Sequence, residues 1–119
     1  MGRGLGGRAL TARVPRRGEV HLVQLDPARG QEIRKLRPCL VVSPDEMNRV
    51  LPTVIVAPMT TGSHAYPFRV PCTFQGRDGH VVPEQIRTVA RARLVRRLGR
   101  LDEGALQGSL TVLREMFEE

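Results

Sequence analysis

The apolar residues of this chain fall in short runs broken by turn residues, and a helical stripe appears only once, at the C-terminus. That distribution leaves little room for anything but a mainly β domain closed by one helix. Residues 19–25 (EVHLVQL) alternate as a half-buried strand does. Residues 37–43 and 53–59 (RPCLVVS, TVIVAPM) are nearly continuous apolar runs, so they read as buried strands. Residues 66–74 and 80–83 read as strand segments around a Gly76–Gly79 turn. Residues 84–89 read as a further strand, 91–94 as a short turn or helix, and 95–101 as the last strand. Polar residues 26–36 and small residues 60–65 are expected loops. Residues 44–48 suit one helical turn, with Ser43 as N-cap and Pro44 first in the helix. Residues 102–117 read as the terminal helix. Asp102 is its N-cap, Leu106, Leu110, Leu113 and Phe117 form one face, and Gly104 and Gly108 weaken it. Five or more short strands with one terminal helix suggest a small, strongly bent β-barrel.

The length of 119 residues suits one domain with one core. Residues 1–15, rich in Gly and Arg without apolar period, are expected to be a disordered tail, with a single domain over 16–119. No apolar run approaches membrane-spanning length, and the N-terminal arginines precede no apolar block, so no membrane is implied and a cytoplasmic location is the default. The net charge of +7 invites a nucleic-acid reading, but five arginines precede the first acid, Glu19. The remainder carries 14 basic and 12 acidic residues, so the charge says little about the folded part. Cys39 and Cys72 form no Cys-x-x-Cys pair, and His21, His64 and His80 are scattered. No metal site and no cofactor are expected.

Arg37 and Thr60 stand out by position. Arg37 precedes Pro38 and so sits on a stiffened, extended backbone at a strand mouth. Thr60 lies just past the following strand. If those strands pair antiparallel about their connection, positions 37 and 60, symmetric about 48.5, emerge at one end of the sheet. The loop carrying Glu32 feeds that end. A guanidinium, a hydroxyl and a carboxylate together suit RNA self-cleavage, in which a 2′-hydroxyl attacks the adjacent phosphate. Arginine offers two directed donors to the more highly charged phosphorane, threonine one more, and Glu32 a proton-transfer group. Spacing alone also allows a solvated arginine and a turn threonine. His64 is a candidate base beside Thr60, His21 reads as a packing or surface residue, and His80 has no evident partner. Glu84 and Gln85 have side chains able to read base edges. The run Arg91, Arg93, Arg96, Arg97, Arg100 reads first as a solvated face.

Taken in order, Arg17–Gly18–Glu19–Val20, Leu25–Asp26–Pro27 with Gly30 and Glu32, Arg37–Pro38, Val41–Val42–Ser43–Pro44 with Asn48, Val56–Ala57–Pro58–Met59–Thr60–Thr61, Tyr66–Pro67–Phe68, Glu84–Gln85–Ile86–Arg87–Thr88 and Arg97–Leu98–Gly99–Arg100–Leu101 resemble the MazF/PemK family of type II toxins. The resemblance spans residues 16–117. It implies an SH3-like barrel with a terminal helix, a fold shared with CcdB-type gyrase poisons. It implies a homodimer with single-stranded RNA across the dimer groove. The implied activity is metal-independent, ribosome-independent endoribonuclease cleavage of mRNA, leaving a 5′-hydroxyl and a cyclic or 3′ phosphate. It places catalytic roles on Arg37, Thr60 and Glu32, and RNA contacts on Arg17, Gln85 and Glu84. The implied regulator is a MazE/PemI-like antitoxin that folds on binding. The chain departs from the family pattern at His21, often an aromatic, at Gly30–Gln31–Glu32–Ile33, usually Gly-Ser-Glu-Gln, and near Val82, where some relatives carry arginine.

The sequence leaves two other functions open. One is a gyrase-poisoning toxin on the same fold; that relative depends on a C-terminal tryptophan, and this chain has no tryptophan. The other is a non-catalytic RNA-binding or antitoxin-docking module.

Overall fold

The computed structural model describes residues 13–26, 35–62 and 65–119. Glu32 and His64 lie outside the described residues, as do most of the 26–36 loop and the first twelve residues. Among the described residues the chain runs β1 (Glu19–Asp26), β2 (Lys35–Val41), α1 (Asp45–Val50), β3 (Thr53–Thr60), β4 (Val70–Phe74), β5 (Arg77–Val81), β6 (Arg87–Ala90), β7 (Leu94–Arg100) and α2 (Glu103–Met116). The strands form one antiparallel sheet in the order β4-β5-β3-β2-β1-β7, with β6 also on β3.

β3 organises the sheet. One edge pairs with β2 through Val56–Pro58; the other pairs first with β6 and then, at Met59 and Thr60, with β5. The change of partner splits the sheet, and register shifts in β1 bend it further. This explains why the 53–59 run is apolar throughout: both faces of β3 are covered. Ala57 and Met59 join Val20, Leu40, Val42, Val81 and Leu101 in a core beneath α2. Val54 and Val56 point the other way, into a second core with Val23, Leu25, Cys39, Val41 and Val89.

The strands at 19–25 and 53–59, and the helix, stand close to their expected places. Asp102 caps α2 by accepting from the Ala105 N–H at 2.9 Å. Leu106 is buried, with Leu110 and Leu113 packed beside it. Phe117 is not on that face: the helix ends at Met116, and Phe117 is 71% exposed. Ser43 is not an N-cap either. Its hydroxyl donates to Asn48 Oδ1 at 2.6 Å and accepts from the Ile55 N–H, so Pro44 takes the cap position without a side-chain bond. Asn48, fully buried, donates to the carbonyls of Ser43 and Pro15, both at 3.1 Å. This ties Pro15, the last residue of the expected tail, onto α1.

The β4–β5 hairpin also differs from expectation. The pair Phe74–Arg77 leaves Gln75 and Gly76 as a two-residue loop, with φ of 52° and 78°. Both positive values fit the type I′ turn that matches strand twist. Gly79, expected in the turn, is in β5. There it lets the strand press against β3: a methyl at Gly79 would overlap the Thr60 carbonyl oxygen. The expected strand at 66–74 begins only at Val70, because a Tyr66–Arg69 turn precedes it. The expected strand at 84–89 opens instead with a 3₁₀ turn, Pro83–Gln85, since proline cannot donate to the ladder.

Candidate active site

Arg37 and Thr60 are brought together by the register of β2 and β3. Cys39 pairs with Pro58. That is the last β2–β3 pair, and continuing its register two residues sets Arg37 across from Thr60. Both line a cavity of about 250 Å³, together with Pro38, Met59 and Thr61 and with Cys72, Phe74, Gln75, Arg77 and Leu98. Arg37 is half-buried, and no ion pair joins it to another described residue. Among the described residues, the cavity lining holds two arginines and no carboxylate. That makes it a site for an anion.

Thr60 carries the sharper signal. Its Oγ1 is buried without a hydrogen-bond partner among the described residues. Buried polar atoms are nearly always paired, and leaving one unpaired costs about 1–3 kcal/mol. Thr60 also lines the cavity, so the unpaired hydroxyl belongs to a residue on its wall. Gly79 holds the other side of Thr60, since its missing side chain admits the Thr60 carbonyl.

The two thiols nearby do not serve as nucleophiles. Burial pushes Cys39 up to about 12, against the pull of Arg37 and Arg87. Burial raises Cys72 as well, helped by the charges of Asp102 and Asp78. Both are therefore neutral near pH 7. No cluster of histidine, cysteine and carboxylate among the described residues has the makings of a metal site.

The other candidates are dispersed. Arg17 lies away from the cavity: its backbone N–H donates to Asp45 Oδ1 and its Nε to the Val42 carbonyl, each at 2.8 Å. Glu84 accepts from Arg69, whose guanidinium also lies 4.8 Å above the Tyr66 ring. Tyr66 stacks on Phe68 at a centroid distance of 5.3 Å. Gln85 is exposed at the end of the neighbouring 3₁₀ turn. His21 is buried, its Nε2 3.0 Å from Glu19 Oε1. Sequence reasoning missed Arg77 and Gln75, because a turn placed at residues 76–79 hid their position beside the cavity.

A family model described as the PemK-like, MazF-like toxin of type II toxin–antitoxin systems matches residues 16–117. The chain belongs to this family. Among its MazF relatives, the "Endoribonuclease MazF9" of Mycobacterium tuberculosis is 40% identical, covering 76% of this chain and 86% of the relative. The "Endoribonuclease toxin MazF" of Escherichia coli K12 is 36% identical, covering 79% and 86%. The crystal structure of MazF from Deinococcus radiodurans superposes with a TM-score of 0.74 at 27% identity, covering 87% of this chain and 96% of that one. A chain of the MazE–MazF complex from the same organism gives 0.77 at 27% identity, with the same coverage. The MazF fold thus accounts for the bent sheet and for the helix closing it.

Proposed function

We propose that this chain is the toxin of a type II toxin–antitoxin pair, an endoribonuclease that cuts single-stranded mRNA independently of the ribosome and without a metal ion. The observation that carries this reading is the buried, unpaired Thr60 hydroxyl in a cavity it shares with Arg37, whose described lining residues include no carboxylate. Named MazF endoribonucleases among the relatives support the activity.

In the reaction, the 2′-oxygen attacks the adjacent phosphorus and the 5′-oxygen leaves. The attacking hydroxyl loses a proton, the departing oxygen gains one, and a cyclic phosphate and a 5′-hydroxyl result. Charge accumulates on the non-bridging oxygens along the way. Arg37 neutralises it with two directed N–H donors, and Thr60 adds a hydroxyl once turned into the cavity. A guanidinium does not give up a proton in a protein, so the role of Arg37 is electrostatic. Glu32, on the adjoining loop, moves the proton.

RNA runs from this cavity toward Glu84 and Gln85, where exposed polar groups meet base edges. Arg17 binds phosphate through its terminal amino groups, its Nε being held by Val42. The working unit is a homodimer in the cytoplasm, silenced by a MazE/PemI-like antitoxin, by analogy with the MazE–MazF complex of Deinococcus radiodurans.

The test is to incubate the protein with short single-stranded RNA in EDTA, beside Arg37→Ala. The wild type should cut and leave 5′-hydroxyl ends, while the variant should be slower by at least about a hundredfold. A requirement for Mg²⁺, or an unimpaired variant, would contradict the mechanism. Inhibition of DNA supercoiling without RNA cutting would point to gyrase instead.

A further inference from the structure

We propose that Arg77 is a positioning residue for the substrate strand, binding the phosphodiester next to the scissile one. This rests on the endoribonuclease reading above. Arg77 is exposed and lines the same cavity as Arg37 and Thr60, from β5 on the other edge of β3 from β2. It has no carboxylate partner among the described residues. Most arginines that border β1 and β7 are answered differently: Arg97 binds Glu19, Arg100 binds Glu103, and Arg93 donates to the Gln24 carbonyl. An uncompensated guanidinium in a cavity with no carboxylate among its described lining residues is set to take an anion.

The geometry separates Arg77 from the scissile phosphate. β5 and β2 flank β3 on opposite edges. His80 pairs with Thr60, so Arg77 stands three residues further along β5, or about 10 Å of extended chain. Two side chains rooted that far apart and facing one cavity bracket it from either end. A nucleic-acid strand presents its charges in series, so the second guanidinium meets the neighbouring phosphate.

The arm is also fixed in place. The type I′ loop at Gln75–Gly76 sets the direction of Arg77, and Gln75 Nε2 donates to the Leu98 carbonyl at 3.1 Å. Thr73 Oγ1 donates to Asp78 Oδ1 at 2.6 Å across the hairpin. Those ties hold the hairpin tip against β7, so a phosphate contact there orders little further chain.

The experiment measures binding of a single-stranded RNA with a 2′-deoxy nucleotide at the cleavage site, over a range of salt, for wild type, Arg77→Ala, Arg77→Lys and Arg49→Ala. Arg49 is exposed on α1 and controls for loss of one general charge. Arg77→Ala should bind about tenfold more weakly, and its log–log salt slope should fall by about 0.7, one single-strand phosphate contact. Arg77→Lys should recover most of both, and Arg49→Ala should leave both at wild-type values. With saturating cleavable RNA, Arg77→Ala should raise KM and keep kcat within about twofold. A neutral methylphosphonate at the linkage beside the cleavage site should erase the difference between wild type and Arg77→Ala. Arg77→Ala with an unchanged slope and KM, from a wild type that still cuts RNA, overturns this proposal and leaves the nuclease reading standing. A wild type that cuts no RNA overturns that reading itself.

Discussion

Two of the arginine-lined hollows on this domain treat charge in opposite ways. In the hollow over the β1–β7 pair, about 300 Å³ and lined by Arg13, Glu19, His21, Arg91, Arg96 and Arg97, the buried carboxylate is fully answered. Glu19 accepts from His21 Nε2, the Arg16 N–H and Arg97 Nε, and Arg13 lies 3.6 Å away. In the Arg37–Thr60 cavity two guanidiniums face no carboxylate and a buried hydroxyl has no partner among the described residues. The first arrangement stabilises the fold; the second leaves binding capacity open at a cost in stability. Arginine content alone does not tell the two apart. The satisfaction of the buried polar group in each does.

Substitutions sharpen that contrast. The largest effect is expected from Arg37→Lys and Arg37→Ala, compared by single-turnover cleavage. Alanine should lose a hundredfold or more, and lysine, which keeps the charge but not the planar fork, should fall between. Melting midpoints should barely move. If lysine matches arginine, charge alone suffices and the bidentate role is wrong.

Next in size is Glu19→Ala. Removing this hub leaves the ring of His21 and the guanidinium of Arg97 without their acceptor, and should cost about 1–3 kcal/mol of stability in denaturant titration. Cleavage per folded molecule should be unchanged. A loss of cleavage that exceeds the loss of folded protein would break the division between the two hollows.

A smaller effect follows from pH. Burial would raise Glu19, but the bonds from His21, the Arg16 N–H and Arg97 outweigh it and hold the carboxyl below its ordinary 4.5. A carboxyl lowered by folding adds stability that is present above its unfolded value and is lost as pH falls through the folded one. Wild type should therefore weaken relative to Glu19→Gln as pH drops below about 4.5, with the gap constant above it. A gap that widens toward alkaline pH would contradict this assignment.

The smallest effect belongs to Arg96→Ala on the exposed face of β7, within about 0.5 kcal/mol by thermal melting.

The parts legible in the sequence were those set by apolar period. The symmetry of residues 37 and 60 about 48.5 is the same register that pairs Cys39 with Pro58, because both strands are buried and a one-residue slip would turn every side chain over. Asp102 was readable as a cap because its bond is local. What stayed hidden depended on contacts far along the chain. The Ser43 hydroxyl serves Asn48 and Ile55 rather than the helix start. The hairpin turned at Gln75, a residue that composition does not mark for positive φ. Glu19 and His21 share a strand face at spacing two, but only the pairing with β7 brings Arg97 to them.

The most direct test compares Thr60→Val with wild type in two assays, thermal unfolding and cleavage under saturating RNA. Valine keeps the shape and removes the unanswered hydroxyl. The melting midpoint should equal or exceed that of wild type, with cleavage slower by at least about tenfold. A variant that melts lower yet cuts at the wild-type rate would mean that the hydroxyl serves the fold and not the reaction.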